Sequence, residues 1–264
     1  PMSKKNIATP ASSILGTTAK FFRLMEKEGI VLKDFQQVVD NKLARKNLCE
    51  FIKKICPDFI TKTKLNILTQ LPLLEKYYQE VYGIKLNLSE IVFPEHPDFP
   101  AVMVDDLSQD EDKIMDCIQK FFNKPETPVN LYKYKNPVSE NIDRESEKLQ
   151  IRQTQSGLVV FVHTGQDEPD TIHRNKSYNI AVSENLTFAK YREYLRMTGF
   201  HKYTKGYFMD KKGWTRTSSL WTDGFLVFGY WHDGYAKLSA DFGLVDITNL
   251  NTGPRQLFLS FFLP

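Results

Sequence analysis

The chain has 264 residues, 41% hydrophobic and 25% charged, with a formal net charge of +3. That composition is ordinary for a globular protein, and the length suits one large domain or two small ones with a real core. The mild charge argues against a dedicated nucleic-acid binder, which would concentrate its basic residues in a patch, and no apolar run nears the roughly 20 residues of a membrane helix.

The first third reads as helical. Over residues 12–27, Ile14, Leu15, Phe21, Phe22, Leu24 and Met25 recur at three- and four-residue spacing, and Gly29 ends the element. Asp34 is placed to cap a second helix with a stripe from Phe35 through Val38, Leu48 and Phe51 to Ile55, closed by Cys56-Pro57. A third is expected over residues 62–82, with Pro72 inside it and Gly83 after it. Together they suggest a helical N-terminal region, residues 1–83, whose Lys and Arg residues form a solvated outer face.

The texture changes after Gly83, where residues 84–264 read as a second, α+β domain. Ala101–Val104 is a short strand candidate and Glu111–Phe122 an amphipathic helix. "SGLVVFVHTG" (residues 156–165) is the clearest strand, β-branched and buried on both faces by expectation. Residues 184–199 read as a helix stopped by Gly199, with no convincing helix beyond it. The rest divides into short strands, with tight turns at Asp223-Gly224 and Asp233-Gly234. The apolar run 257–263 suits a central strand ending inside the core.

Motifs for chemistry are sparse. The five histidines, His96, His163, His173, His201 and His232, are scattered, with no HxxxH or HExxH pair. There is no GxSxG elbow, Walker loop or GxGxxG. Asp167, Glu168 and Asp170 in "GQDEPD" lack calcium-loop spacing and read as a solvated acidic loop. His163 reads as a structural histidine. Cys49, Cys56 and Cys117 form no CxxC pair and read as small core residues made in a reducing compartment. Neither metal nor cofactor is expected.

"LWTDGFLVFGYWHDGYAKLSADFGLVDI" (residues 220–247) points to recognition instead. Strand side chains alternate between faces. Phe228 and Tyr230 share one parity. Beyond the turn, Tyr235, Lys237, Ser239 and Asp241 share another, opposite to a core set of Ala236, Leu238 and Ala240. Two readings stand. In one, Phe228 and Tyr230 face solvent beside His232, Asp233 and Tyr235, giving the Tyr-, Ser-, Asp- and Gly-rich composition of a binding surface. In the other the strand is core on both faces.

From about residue 75 onward, the order and spacing of several blocks resemble the variable proteins of diversity-generating retroelements, especially those of archaeal viruses and uncultivated small-genome bacteria. The blocks are "YYQEVYGIKLNLSEIVFPE", "AVMVDD", "SGLVVFVHTGQDEPD", "LTFAKYREYLRMTGFHKY", "GWTRTSSLW", "DGFLVFGYWHDG" and "GPRQLFLS". The chain departs from that family in reading "GWTRTSS" where a Cys and a Gly-Ser-Arg tripeptide are common, and "GPRQ" where "LRSR" is.

The resemblance implies a C-type-lectin-like fold that displays changeable side chains, written by a reverse transcriptase that errs at adenines. An AAY codon changed only at its adenines yields NNY codons, which never encode Trp, Lys, Gln, Met or Glu. Across residues 217–247 only Trp221, Trp231 and Lys237 fall outside the reachable set. Trp221 and Trp231 are then expected as fixed scaffold. Phe228, Tyr230, His232, Asp233, Tyr235, Ser239, Asp241 and Phe242 are expected as variable, ligand-contacting positions. The expected function is non-enzymatic capture of a macromolecular ligand, a cell-surface protein or glycan, by a protein on a virion or cell surface. Two alternatives belong to other classes: an enzyme on the same fold, of the formylglycine-generating kind, and a nucleic-acid- or partner-binding adaptor working through the basic N-terminal helices.

Overall fold

The computed structural model describes residues 62–131, 136–150 and 152–259. The helices expected over 12–27 and 34–56, with Cys49 and Cys56, lie outside the described residues. The chain divides into two units between Thr61 and Lys62, and every described residue belongs to the second. Its start at Lys62 moves the boundary expected near Gly83. The reason is the helix α1 (Lys62–Tyr77), whose Leu74 and Tyr77 are buried in the same core as the strands.

A wider π turn (Tyr78–Tyr82) continues α1 and buries Tyr78 and Tyr82 beside Tyr77. Tyr77 and Tyr82 share a hydroxyl–hydroxyl bond of 2.6 Å, and Tyr78 donates to the Val104 carbonyl. Then come β1 (Ala101–Asp106), α2 (Glu111–Phe122), β2 (Asn130–Leu131), α3 (Val138–Asn141) and α4 (Arg144–Leu149). Helix α2 starts where expected because the Asp110 carboxylate accepts the Lys113 amide at 2.8 Å, satisfying an otherwise unpaired N–H.

Strands β3 (Thr154–Gln155) and β4 (Leu158–His163) follow, and all six β4 residues are buried, as the unbroken apolar run predicts. After a 3-10 turn (Thr171–His173) come α5 (Tyr178–Ser183) and α6 (Tyr191–Lys205). Here the helix departs from its expected bounds. Residues 184–190 are not helical, and Gly199 sits inside α6 rather than ending it. A side chain at Gly199 would start 2.2 Å from the Tyr77 hydroxyl, so this glycine is bare for close packing. The stop is Gly206, at φ 87°. The start is fixed by Glu193, which accepts the Lys190 amide at 2.7 Å and pairs with Arg152 at 2.9 Å.

The remaining elements are β5 (Trp214–Leu220), β6 (Leu226–His232), a 3-10 turn (Asp233–Tyr235), β7 (Lys237–Gly243), β8 (Thr252–Pro254) and β9 (Leu257–Leu259). In one sheet β4 is central and antiparallel throughout, with β1 on one side and β3 and β9 end to end on the other. The C-terminal run thus lies beside the central strand rather than forming it, and its residues past 259 are outside the described set.

The second sheet is mixed, in the order β2-β7-β6-β5-β8. Its middle is antiparallel, and β2 and β8 add in parallel. Helix α6 packs against β1 of the first sheet and against β5 and β6 of the second, which explains why nearly every residue from Tyr191 to His201 is buried. The fold is α+β. Among the described residues, the α-helices all precede the second sheet's long strands, and only the 3-10 turn comes after α6.

Candidate ligand-binding face

The second sheet has two faces, and register assigns residues to them outside the irregularity in β5 between Arg216 and Leu220. Gly229 faces α6: a Cβ there would fall 2.1 Å from the Tyr194 ring. Trp231 shares that parity and stacks on Phe208 at 4.4 Å between ring centroids. The opposite, outer face carries Trp214 and Arg216 on β5, Phe228 and Tyr230 on β6, and Ser239 and Asp241 on β7. The pairs Arg216–Phe228, Phe228–Asp241 and Tyr230–Ser239 lie directly across from one another.

Parity places Phe228 and Tyr230 together as expected, but facing outward does not expose them equally. Phe228 is only 4% exposed, with the Trp214 ring edge-on at 6.0 Å and Gly243 closing over it. Ser239, expected at the surface, is 1% exposed. Both are corrected to buried positions: the centre of this face is covered, and alternation reports a side, not what lies over it. Tyr230 is half-buried and stacks on Trp214 at 4.8 Å and 16°. Asp241 is half-buried and accepts the Phe242 amide at 2.8 Å.

The exposed residues gather at the ends of the strands. His232 ends β6, Asp233 and Tyr235 lie on the 3-10 turn that joins it to β7, and Tyr235 is 70% exposed. The His232 ring lies 4.5 Å from Tyr235 and 6.2 Å from Tyr230, extending the Trp214–Tyr230 stack into a rank of rings. Fixed groups hold the connection. The Trp231 indole donates to the Asp233 carboxylate at 2.5 Å, Lys211 pairs with the same carboxylate at 3.5 Å, and Asn130 donates its amide and side chain to the carbonyls of Ala236 and Tyr235. The left-handed residue is Ala236, at φ 48°, not Gly234. At the other end of β6, Phe242 is 52% exposed against Phe225 and beside buried Trp221.

The groups that resembled chemistry are spent on structure. The His163 Nδ1 accepts the Gly165 amide at 3.1 Å, and burial, helped by the Arg255 charge, pushes its pKa down to about 3, so the ring is neutral. His173 bonds Gln256 at 2.8 Å, and His201 lies between the Tyr207 carbonyl and Asp167. Of the "GQDEPD" acids, Asp167 is exposed as expected and Asp170 is buried, and all three also act as tethers. Asp167 bonds Lys205, Tyr207 and His201, which hold its carboxyl well below the usual range. Glu168 takes the Lys212 amide, and Asp170 takes the Thr164 hydroxyl and the Gln256 amide.

Two hydroxyls of "GWTRTSSLW" do have acids beside them, Thr215 with Asp210 and Ser219 with Glu147, yet all four residues are buried. Asp210 also pairs with Arg255, which bonds Thr215 at 2.8 Å and the Gln166 carbonyl at 2.9 Å. This knot ties the C-terminal segment to the loop after β4. Among the described residues no group of three or more His, Cys, Asp or Glu is placed to hold a metal ion. Nor is any helix there long and apolar enough to cross a membrane.

Sequence reasoning missed Trp214, the fixed ring under Tyr230. Counting alternate positions back through "GWTRTSSLW" would have put Trp214 and Arg216 on one face. Comparison with protein-family models, with curated proteins and with solved structures finds no match.

Proposed function

We propose that this protein is a non-enzymatic binder on a C-type-lectin-like scaffold, and that its β6–β7 connection and the adjoining rank of rings form a diversified surface for a macromolecular ligand. The observation that carries the reading is the arrangement of Trp214, Tyr230, His232 and Tyr235. These rings follow one another along the outer face and are exposed at both ends, Trp214 at 39% and Tyr235 at 70%. Rings of this kind offer large contact area at low conformational-entropy cost, with Asp and His beside them for hydrogen bonds.

The division of labour also supports it. Trp221 and Trp231, which NNY codons cannot encode, are buried, as is Gly229 beneath Tyr194. His232, Asp233, Tyr235 and Phe242, which such codons can encode, are all exposed; Asp233 also bonds Trp231 and Lys211, while the two bonds from Asn130 hold the connection independently of it. The diversified set therefore centres on those four, with Tyr230 and Asp241 at its margin and without Phe228 and Ser239.

A display library tests this. One library randomises His232, Asp233, Tyr235 and Phe242 with NNY codons; a second randomises Phe228, Gly229 and Trp231. The reading predicts that most members of the first resist protease as the parent does and that it yields binders to unrelated protein targets. Most members of the second should be cleaved. Equal loss of folding in both libraries would overturn the reading.

A further inference from the structure

A cavity of about 510 Å³, in the size range of small-molecule sites, opens where the cap of α2, helix α4 and the start of α6 meet. Among the described residues Leu107 is the one apolar side chain in its wall. Four cations line it, Arg144 and Lys148 from α4 and Lys190 and Arg192 from the start of α6, against two acids, Asp110 and Glu147. Glu147 is already spent, because its carboxylate takes Arg144 and the Ser219 hydroxyl.

The cations are anchored and still hold spare donors. Arg192 uses Nε and Nη2 on Asp105 and on the carbonyls of Asp106 and Gln109. Its Nη1 bonds nothing among the described residues and is not sealed from solvent. Arg144 uses both terminal nitrogens on Glu111, Glu147 and the Ser139 carbonyl, and its Nε is likewise unbonded and open. Lys148 is exposed and paired only with exposed Glu145. Lys190 differs from all three. No described carboxylate lies within ion-pair distance of its ammonium, which donates once, to the Glu147 carbonyl at 3.0 Å. Burial pushes this amine below its usual pKa against the pull of Glu193 and Glu147, and Arg152 and Arg192 push the same way.

Lys190 is also badly placed for a cation. It is the N-cap of α6, with Arg192 in the same first turn, where the helix dipole favours negative charge and Ser, Thr, Asp or Asn usually caps. Asp110, the N-cap of α2, lies in the same wall, so two helix N-termini meet at the cavity. Residues that break a local rule together mark a place with another duty, and an anion between them removes the conflict. Donors from four separate residues match the spread oxygens of a phosphate better than the two oxygens of a planar carboxylate. We infer that this cavity binds a phosphate monoester carried on a hydroxylated body such as a sugar. Lys190, Lys148, Arg192 through Nη1 and Arg144 through Nε donate to the phosphate. Ser108, the Gln109 side-chain amide and the Asp110 oxygen left free by the Lys113 amide serve the hydroxyls. No lining residue belongs to the diversified set, and the inference does not rest on that reading.

The test is calorimetric titration of the full chain with glucose 6-phosphate, inorganic phosphate and glucose at pH 7.5 and low salt. Glucose 6-phosphate is expected to bind with one-to-one stoichiometry, inorganic phosphate about tenfold more weakly, and glucose without measurable heat. Lys190→Ser puts a preferred capping hydroxyl in place of the ammonium, so its melting temperature should hold or rise. Its affinity for glucose 6-phosphate should nonetheless fall about tenfold, the scale of a hydrogen bond to a charged group. Lys148→Gln changes an exposed side chain and should weaken the same ligand severalfold without moving the melting temperature. Binding that survives both substitutions belongs to other basic residues of the chain and would overturn the inference. So would no binding of glucose 6-phosphate, or equal affinity for it and for either inorganic phosphate or glucose.

Discussion

His163 sits on the strand that both flanking strands bury, and its imidazole has room only for the neutral form. Its pKa lies near 3 in the fold against roughly 6.5 unfolded. The folded value is depressed, so this histidine's contribution is fully present above about pH 6.5 and is lost as pH falls toward about 3, because the unfolded chain takes up the proton first. Between pH 7 and pH 5 the loss amounts to about 2 kcal/mol. Urea melts of the parent and of His163→Gln, which keeps an acceptor for the Gly165 amide, check this. The parent should lose that stability over the interval, and the variant should be flatter by about that amount. Asp167 works in a lower window. Its carboxyl is held down by Lys205, Tyr207 and His201, so its contribution is present above the unfolded carboxylate value and falls away in stronger acid. At this scale the sequence was legible where a residue's type alone decided its place. Trp221 and Trp231 are scaffold-like in their burial. It was not legible for Phe228 and Ser239, whose burial depends on chain segments distant in sequence.

Among the elements, α6 and the second sheet approach too closely for a side chain at Gly229. Tyr194 occupies the space, with its ring 2.1 Å from where a Cβ would be. Gly229→Ala must therefore shift either the ring or the strand. It should destabilise the fold by about 1–3 kcal/mol, the usual cost of overpacking, read as a lower urea midpoint. An unchanged midpoint would mean the helix and sheet are not in the contact described. The same contact explains which elements could be read in advance. Helix α2 and strand β4 carry their own signals, a capping aspartate in one and an unbroken β-branched run in the other. Helix α6 does not. Both its faces are buried between sheets, so its apolar stripe is blurred, and Gly199, which serves packing against Tyr77, looks like a terminator. Short strands such as β2 and β8 exist only through the partners they pair with, and no local pattern announces them.

For the whole molecule, the α+β character and the succession of strands toward the C-terminus follow from composition and turn residues. The arrangement of two sheets around one helix does not, because it depends on long-range partners such as Arg255 with Asp210 and Arg152 with Glu193. The reading of function as diversified binding rests on a separation between a backbone that is held and side chains that are free to change. That separation has a genetic signature. The most direct measurement is the DNA sequence of several kilobases around the gene. The account predicts a reverse-transcriptase reading frame and a near-copy of the segment encoding residues 217–247, differing from it only where the copy has adenine. It further predicts that the differing codons include those of His232, Asp233, Tyr235 and Phe242 and spare those of Gly229 and Trp231. A locus with neither the frame nor the copy, or with differences that fall on the buried positions, would contradict it.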